Sequence, residues 1–221
     1  MLESTLKLVE LNHVIEAGMV TYKGLPAPVI CDFLSREAAK GLYADDTTFQ
    51  IGRIDMVSNT GTYLDTPFHR YADGADLCAM PLSAVTALDG IVVRASGPAI
   101  GPEAFAGRDV AGKAVLVHTG WDQHWRTDAY FTGHPYLTEA AALYLRDAGA
   151  ALVGIDSHNI DDTAGKARPV HTILLGAGVP IVEHMTNLGA LPEAGFIFNA
   201  APPRIKGMGT FPVRAHAVVA D

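Results

Sequence analysis

The segment Asn59–His69, Asn-Thr-Gly-Thr-Tyr-Leu-Asp-Thr-Pro-Phe-His, places the tightest constraint on how this chain can fold. If it runs near-extended, Asn59, Tyr63, Asp65 and His69 share parity and project to one side. Gly61 and Pro67 have that parity too, so the run must bend and the common face is approximate. An amide, a phenol, a carboxylate and an imidazole beside a forced bend suit a reaction site. A strand and turn carrying a hydrogen-bonded surface Asp and His fits the same composition equally well.

The 221 residues suit one large domain, read here as a single unit over 1–221. With 49% hydrophobic and 18% charged residues, the chain can bury a sizeable core. A net charge of -8 and the lack of any Lys/Arg cluster argue against a nucleic-acid partner. No apolar run reaches the roughly eighteen residues of a membrane span. The N-terminus lacks a basic start followed by a long apolar core, so a cytoplasmic location is expected. Cys31 and Cys78 are too few and too far apart for a disulfide framework or a zinc clip.

Turn chemistry divides the chain regularly. Leu6–Leu11 reads as a first strand, followed by a Gly- and Pro-bearing loop from Gly18 to Pro28. Phe49–Ser58 reads as a second strand that enters the bent segment. Ile91–Arg94 and Ala114–His118 are short β-branched runs bounded by Gly or Pro, hence buried strands. The clearest helix is Thr138–Ala148, with Thr138 as cap, Glu139 in the first turn and Gly149 ending it. Ala140, Leu143, Tyr144 and Ala148 have the spacing of its apolar face. Leu152–Ile155 follows as a strand, His171–Leu175 as a short helix stopped by Gly176, and Val179–Glu183, Phe196–Asn199 and Val213–Val219 as further strands. Many short strands with few helices predict a mixed, strand-rich α/β domain.

Nine histidines are present, and His13, His124, His134, His158, His184 and His216 fit loops, caps or ordinary hydrogen-bonded positions. His118 ends a strand and leads into Thr119-Gly120-Trp121, a loop of the kind that lines pockets. His171 and Glu183 lie twelve apart across Gly176 and Gly178, so the chain reverses and their side chains can approach. A carboxylate ending the apolar run Pro180-Ile181-Val182 is costly unless paired or metal-bound, although backbone donors would satisfy it as well. Imidazole with carboxylates is an ordinary ligand set for zinc or manganese. Asp156–Asp162 follows a strand end and reads as pocket wall or support, or as simple Asx turns.

Together these segments resemble the metal-dependent cyclase-like hydrolases, the family that includes bacterial kynurenine formamidase and isatin hydrolase. The resemblance covers Leu11-Asn12-His13, Gly18-Met19, Asn59–His69 with Asp73-Gly74, and His118–Trp121. It continues through Gly154–Asp156, Pro169–His171, Val179–Glu183 and Phe211–Arg214. Gly61, Thr62, Asp65, Pro67 and His69 match the family signature HxGTHxDxPxH in register, whereas its first two histidines, both metal ligands, are Asn59 and Tyr63 here.

The resemblance implies a swivelling β/β/α domain with a small barrel-like mixed sheet, assembled as a homodimer or homotetramer. It implies one divalent ion, manganese, zinc or magnesium, on Asp65, His171 and Glu183, with Asn59 lending a carbonyl oxygen. Tyr63 would bind as a phenolate, and a metal-free site stays open. It also implies opening of an amide, lactam or related bond in a small cyclic or aromatic substrate by metal-activated water. His69 would move the proton, with Glu183 and Tyr63 also catalytic. Phe68, His118 and Trp121, with Trp125 and Tyr130, are the candidate substrate-side walls. The alternatives are a metal-independent lyase, dehydratase or isomerase using Tyr63 and His69, and a non-catalytic small-molecule binder.

Overall fold

The computed structural model of the protein describes residues 6–220. Its strands are β1 (Leu6–Glu10), β2 (Val29–Leu34), β3 (Ile51–Asp55), β4 (Tyr63–Asp65), β5 (Leu88–Arg94), β6 (Ala99–Ile100) and β7 (Ala114–His118). They continue as β8 (Tyr136–Leu137), β9 (Leu152–Ile155), β10 (Ile181–Glu183), β11 (Ala194–Asn199), β12 (Thr210–Pro212) and β13 (His216–Ala220). The helices are α1 (Pro67–Arg70), α2 (Glu139–Asp147) and α3 (Pro169–Gly176). Nine strands form one mixed sheet in the order β1-β13-β11-β5-β7-β9-β10-β4-β12, curled as a half-barrel. The expected α/β class and barrel-like mixed sheet are therefore what the chain adopts.

The parallel centre, β5-β7-β9-β10, is buried on both faces, as its near-continuous β-branched sequence requires. Strand alternation separates two cores. Val92, Leu116 and Val182 point into one, lined by β11, β13 and the loops. Ile91, Val93, Val115, Val117, Val153 and Ile155 point into the other, under α2 and α3.

Several expectations need correction. Only Tyr63–Asp65 of the bent segment is a strand: Gly61 turns with φ +66°, and Pro67 opens α1. His69 therefore meets Asp65 through one helical turn and not through strand parity. The second strand is shorter than Phe49–Ser58 and pairs with β2, a segment over which the sequence pattern predicts no element. Val213–Val219 is not one strand: β12 ends at Pro212 on one margin of the sheet, and β13 starts at His216 near the other. Thr138 does cap α2, accepting from the Ala141 N–H, but the face turned fully inward is Ala141, Ala142 and Leu145. Two adjacent alanines let the helix sit close on the sheet, which leaves Ala140 exposed and Leu143 and Tyr144 at the flanks.

Two glycines fix α1 from opposite sides. A Cβ on Gly74 would lie 2.6 Å from the Pro67 carbonyl carbon, and one on Gly209 would lie 2.3 Å from the His69 nitrogen. Gly209 O also accepts from Thr66 N (2.8 Å) and Thr66 Oγ1 (3.1 Å), so backbone packs on backbone just before the helix. We expect Gly209→Ala to cost about 1–3 kcal/mol by overpacking. Thermal unfolding would register this as a melting temperature lower by several degrees, and an unchanged value would refute the close-packed placement of α1.

Candidate functional site

The antiparallel pairing of β4 with β10 sets Glu183 opposite Tyr63 and Ile181 opposite Asp65. Paired residues share a face, and Ile181 belongs to the helix-side core, so Tyr63, Asp65 and Glu183 all project to that side. Asp65 and Glu183 are buried there. His69 arrives from α1 and His171 from the first turn of α3. His171 Nε2 lies 3.6 Å from Asp65 Oδ2 and 3.7 Å from Glu183 Oε1, so these three distant parts of the chain converge on one point.

Hydrogen bonds decide which atoms remain available. Asp161 is fully buried, and its carboxylate accepts from Val170 N (2.7 Å), His171 N (3.1 Å) and His171 Nδ1 (2.6 Å). One ring proton of His171 is thereby held on Nδ1, which leaves Nε2 to face Asp65 and Glu183. Thr210 Oγ1 donates to Asp65 Oδ1 and accepts from His69 Nδ1 (2.8 Å), which frees His69 Nε2 in the same way. Glu183 accepts from Ile160 N at Oε1 and from Tyr63 Oη at Oε2, both at 2.7 Å. Asp65 Oδ2 is buried and has no hydrogen-bond partner among the described residues.

Three buried carboxylates thus surround a single imidazole. Burial alone would lower the His171 pKa, but Glu183, Asp161 and Asp65 more than reverse this and raise it. Burial raises Glu183, with His171 opposing and Asp65 reinforcing the shift. Surplus negative charge and an orphaned carboxylate oxygen are what a bound cation satisfies. Ligand atoms of Asp65, His69 and His171 all lie within 4.8 Å of one another, with Glu183 beside them. Donor set and geometry therefore fit a divalent ion. With no ion beside it, burial and the charges of Glu183 and Asp65 push the Tyr63 pKa well above the usual value, and its Oη donates to Glu183 Oε2. Asn59 lines the cavity, its side-chain oxygen accepting from Ser58 Oγ at 3.2 Å.

The cavity above these groups measures about 500 Å³ and is lined by Tyr22, Leu25, Asn59, Tyr63 and His69 among others. Phe68, His118 and Trp121 do not line it, contrary to expectation, nor do Trp125 and Tyr130. His118 Nε2 lies 3.8 Å from Asp156, whose carboxylate holds Thr119 N, Thr119 Oγ1 and Gly120 N. Trp121 donates Nε1–H to Tyr130 O (3.0 Å), and Trp125 stacks on His13 with ring centroids 4.0 Å apart. This loop turns its aromatic residues toward an internal cluster containing His13, Tyr130, His158 and His184.

That cluster was not legible as a unit. His184 directly follows Glu183, and on a continuing strand it would face away. Instead it takes φ +54°, a left-handed conformation costly for a side chain with a Cβ, and turns back toward Tyr63. Tyr130 Oη donates to His184 Nδ1 (2.9 Å), His184 Nε2–H reaches the Tyr63 oxygen (3.2 Å), and Tyr63 donates to Glu183. Four buried groups form one directed hydrogen-bond chain ending at the site.

Comparison with known proteins gives consistent results. The family model described as "Putative cyclase" matches residues 9–162. Kynurenine formamidase of Salinibacter ruber is 30% identical over 177 residues, covering 77% of this chain and 81% of that protein. Kynurenine formamidase of Geobacillus thermodenitrificans is 27% identical over 174 residues, covering 78% and 81%. A solved structure described as a potential metal-dependent hydrolase with cyclase activity superposes with TM-score 0.80 at 26% identity, covering 98% of this chain and all of that one. Isatin hydrolase A from Labrenzia aggregata, bound to benzyl benzoate, has TM-score 0.82 at 22% identity over 98% and 94%, a likeness of fold.

Burial pushes His13 down to about 4 and His158 to about 3, and lowers His134 and His184 as well. The unfolded chain, with histidines near 6.5, takes up protons that the folded protein refuses. The contribution of these four histidines is therefore full above about pH 6.5 and falls as pH drops toward 4, each losing up to ~1.4 kcal/mol per pH unit. Urea unfolding at stepped pH should show this loss. His158→Gln should flatten it, and an unflattened slope would mean that His158 is not held neutral.

Proposed function

We propose, because this chain belongs to the cyclase family, that it is a hydrolase opening an amide, lactam or related C–N bond in a small cyclic or aromatic substrate. The observation that carries the reading is the buried Asp65 Oδ2, without a hydrogen-bond partner among the described residues, facing Nε2 of a histidine whose other nitrogen is held by Asp161. Asp65, His171 and Glu183 would hold a divalent ion, with His69 within reach of it. When bound, the ion supplies Lewis-acid activation of a carbonyl and of water. One imidazole and two carboxylates favour a harder, oxygen-tolerant ion such as manganese over zinc.

The remaining steps belong to the chain's own groups. His69, half-exposed on the cavity wall, keeps Nε2 free because Thr210 takes its Nδ1 proton, and it carries the proton between water and the leaving nitrogen. Tyr63 keeps Glu183 oriented by donating to Oε2. The metal-free acid/base alternative has less support, since Tyr63 would have to titrate while buried and committed as a donor. A cavity of about 500 Å³ suits a one- or two-ring substrate.

Protein purified without chelator should carry about one divalent ion per chain, and Asp65→Ala should lose both the ion and most hydrolysis of an N-formyl or lactam panel. Metal-free protein with undiminished activity would sink the reading.

We also propose that the protein is a homo-oligomer built on the β2–β3 hairpin. Val29, Phe33, Ile51 and Ile54 are 58%, 75%, 47% and 57% exposed, and a two-stranded hairpin is marginal in water unless something covers it. A second copy supplies that cover. Sedimentation should give a mass of two or four chains, reduced to one by Phe33→Asp with Ile54→Asp. A wild-type monomer would rule this assembly out.

A further inference from the structure

The cavity is divided by charge. Glu183 and His171 line it, with the buried Asp65 carboxylate 3.6 Å from His171 Nε2, and Lys23, Arg70 and Arg168 line it as well. The chain as a whole has 16 Lys and Arg against 24 Asp and Glu, so three cations at one cavity oppose the general field. Cations on an acidic protein ordinarily serve nearby carboxylates, but two of these do not. Arg70 Nε donates to Thr172 Oγ1 (3.3 Å) and its guanidinium lies 5.2 Å from the centre of the Tyr71 ring. Arg168 donates through one terminal nitrogen to the carbonyls of Asp162 (3.1 Å), Gly165 (3.0 Å) and Ala167 (2.7 Å). Neither guanidinium has a carboxylate within 4 Å among the described residues. Lys23 makes an exposed ion pair with Asp128 at 3.5 Å and lies over the Phe131 ring, 5.0 Å from its centre.

The placement of the two arginines is equally specific. Arg70 follows His69 at the end of α1, and Arg168 is the residue before α3, three ahead of His171. Each is carried by the helix that presents a reactive imidazole. Arg168 is pinned by its own loop, so its remaining N–H groups are ordered without being used by an acid. A planar anion is what such a pair recognises, by parallel charge-assisted hydrogen bonds.

We propose that the substrate carries a carboxylate, held by Arg70 and Arg168 with Lys23 at the margin, while its scissile bond lies over Asp65, His171 and Glu183. The inference rests on the hydrolytic reading for the position of the reacting bond, but its test requires no turnover. Benzoate and its uncharged isostere benzamide would be titrated calorimetrically into the protein as purified, with its metal.

The expected result is that benzoate binds at millimolar concentration or better, more tightly than benzamide. Arg70→Gln with Arg168→Gln should weaken benzoate at least about tenfold. Arg70→Gln alone, at an exposed side chain bonded only to Thr172, repeats the measurement in a variant whose melting temperature and metal content can be matched to wild type. Wild-type protein that binds benzoate no better than benzamide would overturn the proposal. So would arginine variants that bind it as tightly as wild type, since the carboxylate would then sit on the metal alone. Either result would leave the hydrolysis of uncharged amides to be judged separately.

Discussion

The carboxylate of Asp161 is the contact on which the site depends. It gathers the first two N–H groups of α3 and the Nδ1 proton of His171, so one buried anion both anchors a helix and selects a tautomer. Each of these charge-assisted bonds is worth about 1.5–3 kcal/mol. Without them the imidazole could rotate or present the wrong nitrogen to Asp65. Thr210 does the same on a smaller scale for His69. The two imidazoles are thus oriented by supporting residues that do not line the cavity.

The parts of the fold legible in the sequence are those where local pattern and tertiary demand agree. Ala114–His118 and Leu152–Ile155 were read with the bounds they have, because a strand buried on both faces is apolar without interruption. The approach of His171 to Glu183 could be anticipated from the chain reversal at Gly176 and Gly178. The β2–β3 hairpin could not, since Val29–Leu34 mixes Cys31 and Asp32 with apolar residues and alternates on no face. Asp161 looked like any Asx-turn residue. For His118 and Trp121 the strand-end loop suggests a pocket wall, but their partners, Asp156 and Tyr130, draw them elsewhere.

Replacing two signature histidines by Asn59 and Tyr63 changes what the site is made of. Tyr63 joins Glu183 to His184 and Tyr130 in a buried hydrogen-bonded chain. Four histidines in and around that chain have lowered basicity, so they add no positive charge to offset the carboxylates, which leaves His171 as the one raised imidazole among them. The surplus stays concentrated at Asp65 and Glu183, and an ion bound there would meet a more oxygen-rich neighbourhood than the family signature prescribes.

The clasp of α1 between Gly74 and Gly209 has an evolutionary corollary. Because main chain grips main chain, the imidazole's position is set at two glycines where any added side chain would collide with α1. Arg70, on the cavity wall, can then vary while the helix keeps its seat. The architecture separates what is recognised from what is done to it.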